Sequence, residues 1–295
     1  MPVTLSPLRY PGGKTKLYDY VKKLLEFNGL STKTTYVEPF AGGAGLAIKL
    51  LLSGDVERII INDLDPAVYS FWKSILEYTD AFCEKIENID ITPDEWNRQR
   101  KIYSEGNTDD ILALGFATFF LNRTNVSGII RGGLIGGVNQ TGSHKMDARF
   151  HKRNLTKKIC SIAKYKENIV VYNMDARDLL QGLENEKPGN IFINLDPPYI
   201  KKGKCLYSDF LEEQGHEILA KSVSQCRHKW IVTYDVCSLA ERLYSQYRYG
   251  YLDLTYSIQK IKAGREYIFF SDNLSIPDSY TFFPACCVRN CKLMN

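Results

Sequence analysis

No apolar run in the 295 residues reaches the ~18 needed to cross a bilayer, and the opening MPVTLSPLRYPGGK has no apolar stretch of the secretory kind. A membrane-embedded or exported protein is therefore not expected, and a cytoplasmic one is. Eight cysteines (83, 160, 205, 226, 237, 286, 287 and 291) are scattered without any Cys-x-x-Cys pair. That argues against a structural zinc site and for reduced thiols. Internal repeats and low-complexity segments are missing. No sign of charge dominates either: 38 Lys and Arg against 34 Asp and Glu leave +4, which permits a nucleic-acid partner without demanding one. What remains, at 44% hydrophobic, 24% charged and 12% aromatic residues, is an ordinary globular chain. At ~150 residues per domain its length suits two domains or one α/β domain with an insertion.

Short apolar runs at Tyr36 to Phe40, Arg58 to Asn62, Ile169 to Tyr172, Ile191 to Leu195 and Lys229 to Tyr234 read as buried strands. Helical patterns at Ala44 to Ser53, Leu211 to Gln225 and Ser238 to Gln246 alternate with them, so a mostly parallel sheet with helices on both faces is expected. Tyr249 to Ser257 and Arg265 to Ser271 read as two more strands, joined by a loop around Gly264, that add an antiparallel edge. The alternation fails between about Tyr69 and Tyr165. Helical patterns at Ala67 to Tyr78, Asp94 to Tyr103 and Asp109 to Leu121 precede a glycine-rich polar stretch from Ser127 to Gly142. A loop that long inside a compact protein is functional or mobile as a rule. The expected organisation is a discontinuous catalytic domain (1–68 and 166–275), a helical insertion (69–165) and a tail (276–295). Between Ser143 and Glu167 eight Lys or Arg face two acids, with His144 and His151 besides. A solvated helix face and a phosphate-contacting surface both fit that run.

Three segments carry chemistry. In Y36-V-E-P-F-A-G-G-A-G-L a strand runs into a glycine turn and then a helix, which lets a ligand approach backbone beside a helix N-terminus. The next strand ends in Asp63, placed to bind ribose hydroxyls, so an adenosine-containing cofactor is expected. Asp65 followed by Pro66 is the better cap for the helix after it. The segment R9-Y-P-G-G-K-T is not a P-loop, because Leu8 stands where that motif needs glycine. The third is I191-F-I-N-L-D-P-P-Y, an apolar strand ending in Asp196-Pro197-Pro198-Tyr199. It places a carboxylate, an outward carbonyl and an aromatic ring at the carboxyl end of a sheet, where open α/β folds bind ligands. The trio suits an amino group on a planar ring. Two acceptors orient its N–H groups and localise the nitrogen lone pair while the aromatic ring stacks on the base.

The order RYPGGK, VEPFAGGAG, the Asp63 strand, FLNR and DPPY resembles the Dam-like (D12 class) DNA adenine-N6 methyltransferases, from Leu8 to about Asn273. The resemblance implies a seven-stranded Rossmann-like fold binding S-adenosylmethionine, with a helical insertion that recognises double-stranded DNA. It implies that Asp196 and the Pro197 carbonyl, followed by Pro198, hold the target amine and that Tyr199 stacks on a flipped base. For the cofactor it implies Tyr10, Lys14, Glu38, Phe40, Gly42, Asp63, Asp175 and Asp196. Through F120-L-N-R-T-N-V-S-G-I-I-R it implies DNA contacts at Arg123, Asn125, Ser127 and Arg131, the last where some members read guanine. Val126 and Ser127 depart from the Tyr and Asn of GATC-specific members, so the recognition sequence does not carry over. In this context Lys152 and Arg153 become candidate phosphate contacts.

The expected activity is site-specific methylation of adenine N6 in duplex DNA, by an orphan or a restriction-modification methylase, with no metal and a monomeric enzyme. Methylation of an amino group on an RNA base is the alternative within the same chemistry. A DNA-binding protein without turnover is the alternative outside it. The Cys-rich tail, with three cysteines in six residues and no spaced partner pair, is expected to be reduced and partly disordered.

Overall fold

The computed structural model describes residues 4–10, 13–30, 33–185, 190–200, 211–257 and 261–277, the side chains of 253–257 and 261–263 excepted. The Cys-rich segment from 278 onward lies outside the described residues. Among those described, seven strands form one sheet: β1 (Thr35–Glu38), β2 (Arg58–Asn62), β3 (Ile169–Tyr172), β4 (Ile191–Leu195), β5 (Lys229–Asp235), β6 (Arg248–Ser257) and β7 (Ile261–Phe270). Their order is β3-β2-β1-β4-β5-β7-β6. The first five run parallel, while β7 lies antiparallel to both β5 and β6. The helices are α1 (Tyr18–Phe27), α2 (Gly45–Leu52), α3 (Pro66–Glu77), α4 (Thr79–Asn88), α5 (Pro93–Glu105), α6 (Ile111–Thr124), α7 (Lys152–Ala163), α8 (Ala176–Leu183), α9 (Glu213–Gln225) and α10 (Ser238–Leu243).

Strand periodicity sorts the core into two layers. Tyr36, Ile59, Ile61, Phe192, Ile231, Ile268 and Phe270 face α1, α2 and the insertion helices. Their neighbours Val37, Ile60, Ile193, Leu195, Trp230, Val232 and Phe269 face the layer that holds Leu179 of α8, Leu219 of α9 and Ala240 of α10. Both faces are covered, which is why the parallel strands read as unbroken apolar runs.

Local chemistry starts the insertion helices. Asp65 accepts from the Ala67 N–H at 2.9 Å ahead of Pro66, Thr92 from Glu95 at 3.2 Å ahead of Pro93, and Asp110 from Ala113 at 2.9 Å. The insertion has no core of its own: Phe71, Phe82, Phe116, Phe119, Phe120 and Phe150 join the sheet residues in one apolar cluster. At Gly115 a Cβ would lie 2.4 Å from the Ser70 carbonyl oxygen, so only glycine lets α6 press against α3 this closely. The basic run after Ser143 forms α7, whose Leu155, Ile159 and Ile162 are buried. Packing of α7 on α4 brings Cys83 and Cys160 within 3.8 Å, Sγ to Sγ.

Some boundaries differ from expectation: β1 ends at Glu38 and not Phe40, and α10 ends at Leu243 and not Gln246. The turn between β6 and β7 is not at Gly264, which lies inside β7 paired with Leu254. A glycine in an edge hairpin can continue the ladder, because pairing uses only its backbone.

Candidate active site

Asp196 follows β4, between β1 and β5 at the carboxyl end of the sheet. Thr233 of β5 donates its hydroxyl to Asp196 Oδ1 at 2.7 Å. Lys14, in the 3-10 turn Lys14–Leu17, reaches the same carboxylate with Nζ 2.7 Å from Oδ1 and 2.8 Å from Oδ2. The ammonium also donates to the Tyr199 hydroxyl at 3.1 Å and lies 3.3 Å from Glu266 Oε2. Tyr199 in turn donates to Glu266 Oε1 at 2.5 Å. Four ionisable groups from three distant segments thus meet in one buried cluster. Burial raises the Asp196 carboxyl above its ordinary range, opposed by Lys14 and reinforced by Glu266.

The glycine turn after β1 is held from three sides. Gly42, at φ +46°, donates its N–H to Asp63 Oδ2 at 2.8 Å, and its carbonyl accepts from Trp72 Nε1 at 2.9 Å. A Cβ there would sit 2.6 Å from the Tyr10 ring, so the turn and the ring pack without room for a side chain. Asn62 joins this turn to the one after β3, donating to the Pro39 and Met174 carbonyls at 2.9 Å each and accepting from the Met174 N–H at 3.1 Å. Asp175 caps α8 through the Arg177 N–H at 2.8 Å and pairs with the Arg177 guanidinium, which lowers its carboxyl. Phe40 is half-buried in the same rim.

Glu38, at the end of β1, accepts from the Ala47 N–H at 3.1 Å and from the Tyr36 hydroxyl at 3.2 Å. Burial still wins, and with Asp196 adding to it the Glu38 carboxyl is pushed up from 4.5 to about 8. The folded protein therefore binds a proton that the unfolded chain has lost between those two values, so this group's contribution to stability falls as pH rises from about 4.5 through 8. Glu38→Gln removes that dependence. Denaturant unfolding at pH 5 and pH 8.5 is expected to show the variant gaining on the wild type by on the order of 2–4 kcal/mol between the two. An equal difference at both pH values would mean that Glu38 is not buried as a neutral acid.

The insertion presents its predicted residues unequally. Asn122 accepts from the Arg9 N–H at 2.8 Å and donates to the Arg9 and Gly128 carbonyls at 2.9 and 2.8 Å, stitching RYPGGK to the glycine-rich loop. Asn125 is fully buried: it accepts from Trp96 Nε1 at 2.7 Å and donates to the Ile129 and Ile130 carbonyls at 3.1 and 2.8 Å. Its amide is used within the loop. Val126 and Arg131 are exposed, Ser127 is half-buried at φ +59°, and Arg131 Nε lies 3.5 Å from the Tyr103 hydroxyl. The ammonium of Lys152 donates to the Glu87 and Ile89 carbonyls at the end of α4, whereas Arg153 is exposed. Arg123 is 7% exposed, and its buried Nε has no hydrogen-bond partner. Burial, then Arg9 and Arg149, push its pKa down to about 9. Lys158 is lowered in turn by burial and by Arg123. These four cations form no ion pair among the described residues.

Thr233 and Glu266 belong to no motif, and the basic run that holds Arg149 and Lys158 does not reveal that they gather with Arg9 around Arg123. Glu266 did leave a signal: it shares its strand face with Ile268 and Phe270, an acid where the period calls for an apolar residue.

A sheet of this order with its antiparallel edge, a glycine turn after β1 and an acid closing β2 define a Rossmann-like methyltransferase. The D12 class N6 adenine-specific DNA methyltransferase family matches residues 10–260, and the chain belongs to that family. It is an adenine-N6 DNA methyltransferase, and membership implies S-adenosylmethionine as methyl donor and DNA as substrate. The type II methyltransferase M.MjaIII of Methanocaldococcus jannaschii is 24% identical over 206 residues, 65% of this chain and 68% of that protein. Among solved structures, the rRNA methyltransferase aviRa of Streptomyces viridochromogenes aligns with a TM-score of 0.37 and 12% identity, covering 90% of this chain and 88% of that one. Among the described residues no group of His, Cys, Asp and Glu could hold a metal ion, and no helix is long and apolar enough to cross a membrane.

Proposed function

We propose that Asp196, the Pro197 carbonyl and Tyr199 receive an adenine flipped out of duplex DNA, with the methyl donor lying along the glycine turn after β1. The observation that carries this reading is the placement of Asp196 at the carboxyl end of β4, next to the strand that ends in Glu38 and the glycine turn. The residues around that turn fit the cofactor: glycine at 42 lets the Tyr10 ring pack directly on the turn, and Asp63 follows β2 at the position for the ribose. Glu38, Phe40 and Asp175 complete the rim in this reading.

The cofactor supplies a methyl group on a sulfonium, which the N6 lone pair takes while the carbon–sulfur bond pair stays with sulfur. Asp196 Oδ2 accepts one amine hydrogen and so aims the lone pair. After transfer it is the nearest base for the proton that N6 sheds, and burial keeps its proton affinity above that of an ordinary carboxylate. The Pro197 carbonyl takes the second hydrogen, and Pro198 keeps the turn from continuing into a helix. Tyr199 covers the base. Flipping is required because N6 cannot meet the methyl inside a duplex.

On the DNA side, Arg131 and Ser127 face the bases and Arg153 the backbone. Arg123, with Arg9, Arg149 and Lys158 around it, takes a phosphate that supplies the missing counter-charge. The chain pairs with a restriction enzyme or acts alone; its likeness to a type II methyltransferase favours the former.

The test is incubation of the protein with unmethylated genomic DNA and labelled cofactor, followed by single-molecule sequencing. N6-methyladenine confined to one short sequence is the expected result. Label in RNA and none in DNA would move the activity to the alternative substrate.

A further inference from the structure

We propose that Glu266 is a positioning residue for methyl transfer: a second buried carboxylate that shares Lys14 with Asp196 and fixes Tyr199 by its hydroxyl. The inference rests on the reading that Asp196 and Tyr199 receive the target base.

Glu266 lies on β7 opposite Asp235 of β5, at the end of the sheet where β4 delivers Asp196. It is 1% exposed. A carboxylate buried to that degree is costly unless charge and hydrogen bonds compensate it. Its compensation is Lys14 at 3.3 Å and the Tyr199 hydroxyl at 2.5 Å, both drawn from the active site. An acid serving the fold alone has no reason to take its partners there.

The sharing has a consequence for Asp196. The ammonium hydrogen-bonds Asp196 and the Tyr199 oxygen, and its charge lies 3.3 Å from Glu266 Oε2 as an ion pair. Without the charge on Glu266, Lys14 would settle wholly on Asp196, neutralising the group that must accept the amine hydrogen. With it, two carboxylates face one ammonium, and the pocket keeps a net negative charge for the positive charge that moves onto N6 during transfer. Tyr199 is fixed through the same contacts, accepting from Lys14 and donating to Glu266, so its ring has one orientation before the base arrives.

Glu266→Gln keeps the size and an acceptor for Tyr199 but removes the charge. The expected result in single-turnover methylation of duplex DNA is a rate constant lower by about 10- to 100-fold, with cofactor and DNA affinity within about threefold of wild type. Glu266→Asp restores part of the loss. Because part of the effect of Glu266 runs through Lys14, the double variant Lys14→Met with Glu266→Gln loses less than the product of the two single losses. A wild-type transfer rate in Glu266→Gln, or a double loss equal to the product of the single losses, would overturn the proposal. Should Glu266→Gln fail to fold, Tyr199→Phe tests the same tether: it keeps the ring, loses the hydroxyl, and is expected to lose rate without losing cofactor affinity. An unchanged rate there also overturns it. A wild-type protein that transfers no methyl to DNA would refute the site reading itself, and so the two failures are told apart.

Discussion

Asp196→Ala lowers the single-turnover methylation rate on duplex DNA by about 10²- to 10³-fold, the cost of deleting one preorganised polar group aimed at the reacting atom. Cofactor binding survives at least in part, because the glycine turn is held by Asp63, Trp72 and Asn62 and not by Asp196. The loss has two sources. In the proposed reading the acceptor for the amine hydrogen goes, and Lys14 is left with Glu266 as its carboxylate partner, so the pocket would lose the negative charge set against the methylated nitrogen. Asp196→Asn keeps the shape but sets a neutral amide beside Lys14, and is expected to fall between alanine and wild type. Labelled transfer measured beside calorimetric cofactor binding separates the two sources. Undiminished methylation by Asp196→Ala would remove this residue from the chemistry altogether.

Arg123→Met has effects of opposite sign on stability and on binding. In the free protein Arg123 is a buried guanidinium with cations for neighbours, so replacing it by an apolar chain of similar length is expected to stabilise the fold by roughly 1–4 kcal/mol. In the proposed reading the same change deletes a phosphate contact. DNA affinity is expected to fall about tenfold, and the slope of log affinity against log salt to flatten by about one. Denaturant unfolding and a salt titration of DNA binding read the two quantities independently. A variant that is less stable and binds DNA as before would show that Arg123 supports the fold and has no ligand.

Much of the architecture can be read along the chain. The bounds of β2, β3 and β4 fall where their apolar runs end, and Asp65 with Pro66 starts α3 as turn chemistry requires. These are local effects: strand period, capping and proline act over a few residues, so they leave their mark in adjacent letters. The Asp-Pro-Pro-Tyr segment after β4 is legible for the same reason. Helices α1, α4 and α8 are not marked out along the chain, and α7 shows there only as a charged face, because charges mask the apolar stripe that α4 and α7 bury.

What folding alone settled is who meets whom. Lys14 and Asp196 are 182 positions apart, and their pairing depends on the whole sheet bringing a turn before β1 against the end of β4. Thr233 and Glu266 enter the site because β5 and β7 are neighbours there, a consequence of strand order that no short window contains. Asn125 looks like a surface contact in sequence and is a buried brace in space. Cys83 and Cys160 share no motif, yet their sulfurs touch. Motifs record the conformations that neighbouring residues impose on one another. A site of charges drawn from distant segments is stable only where burial strengthens their mutual fields, and that burial comes into being with the packed fold.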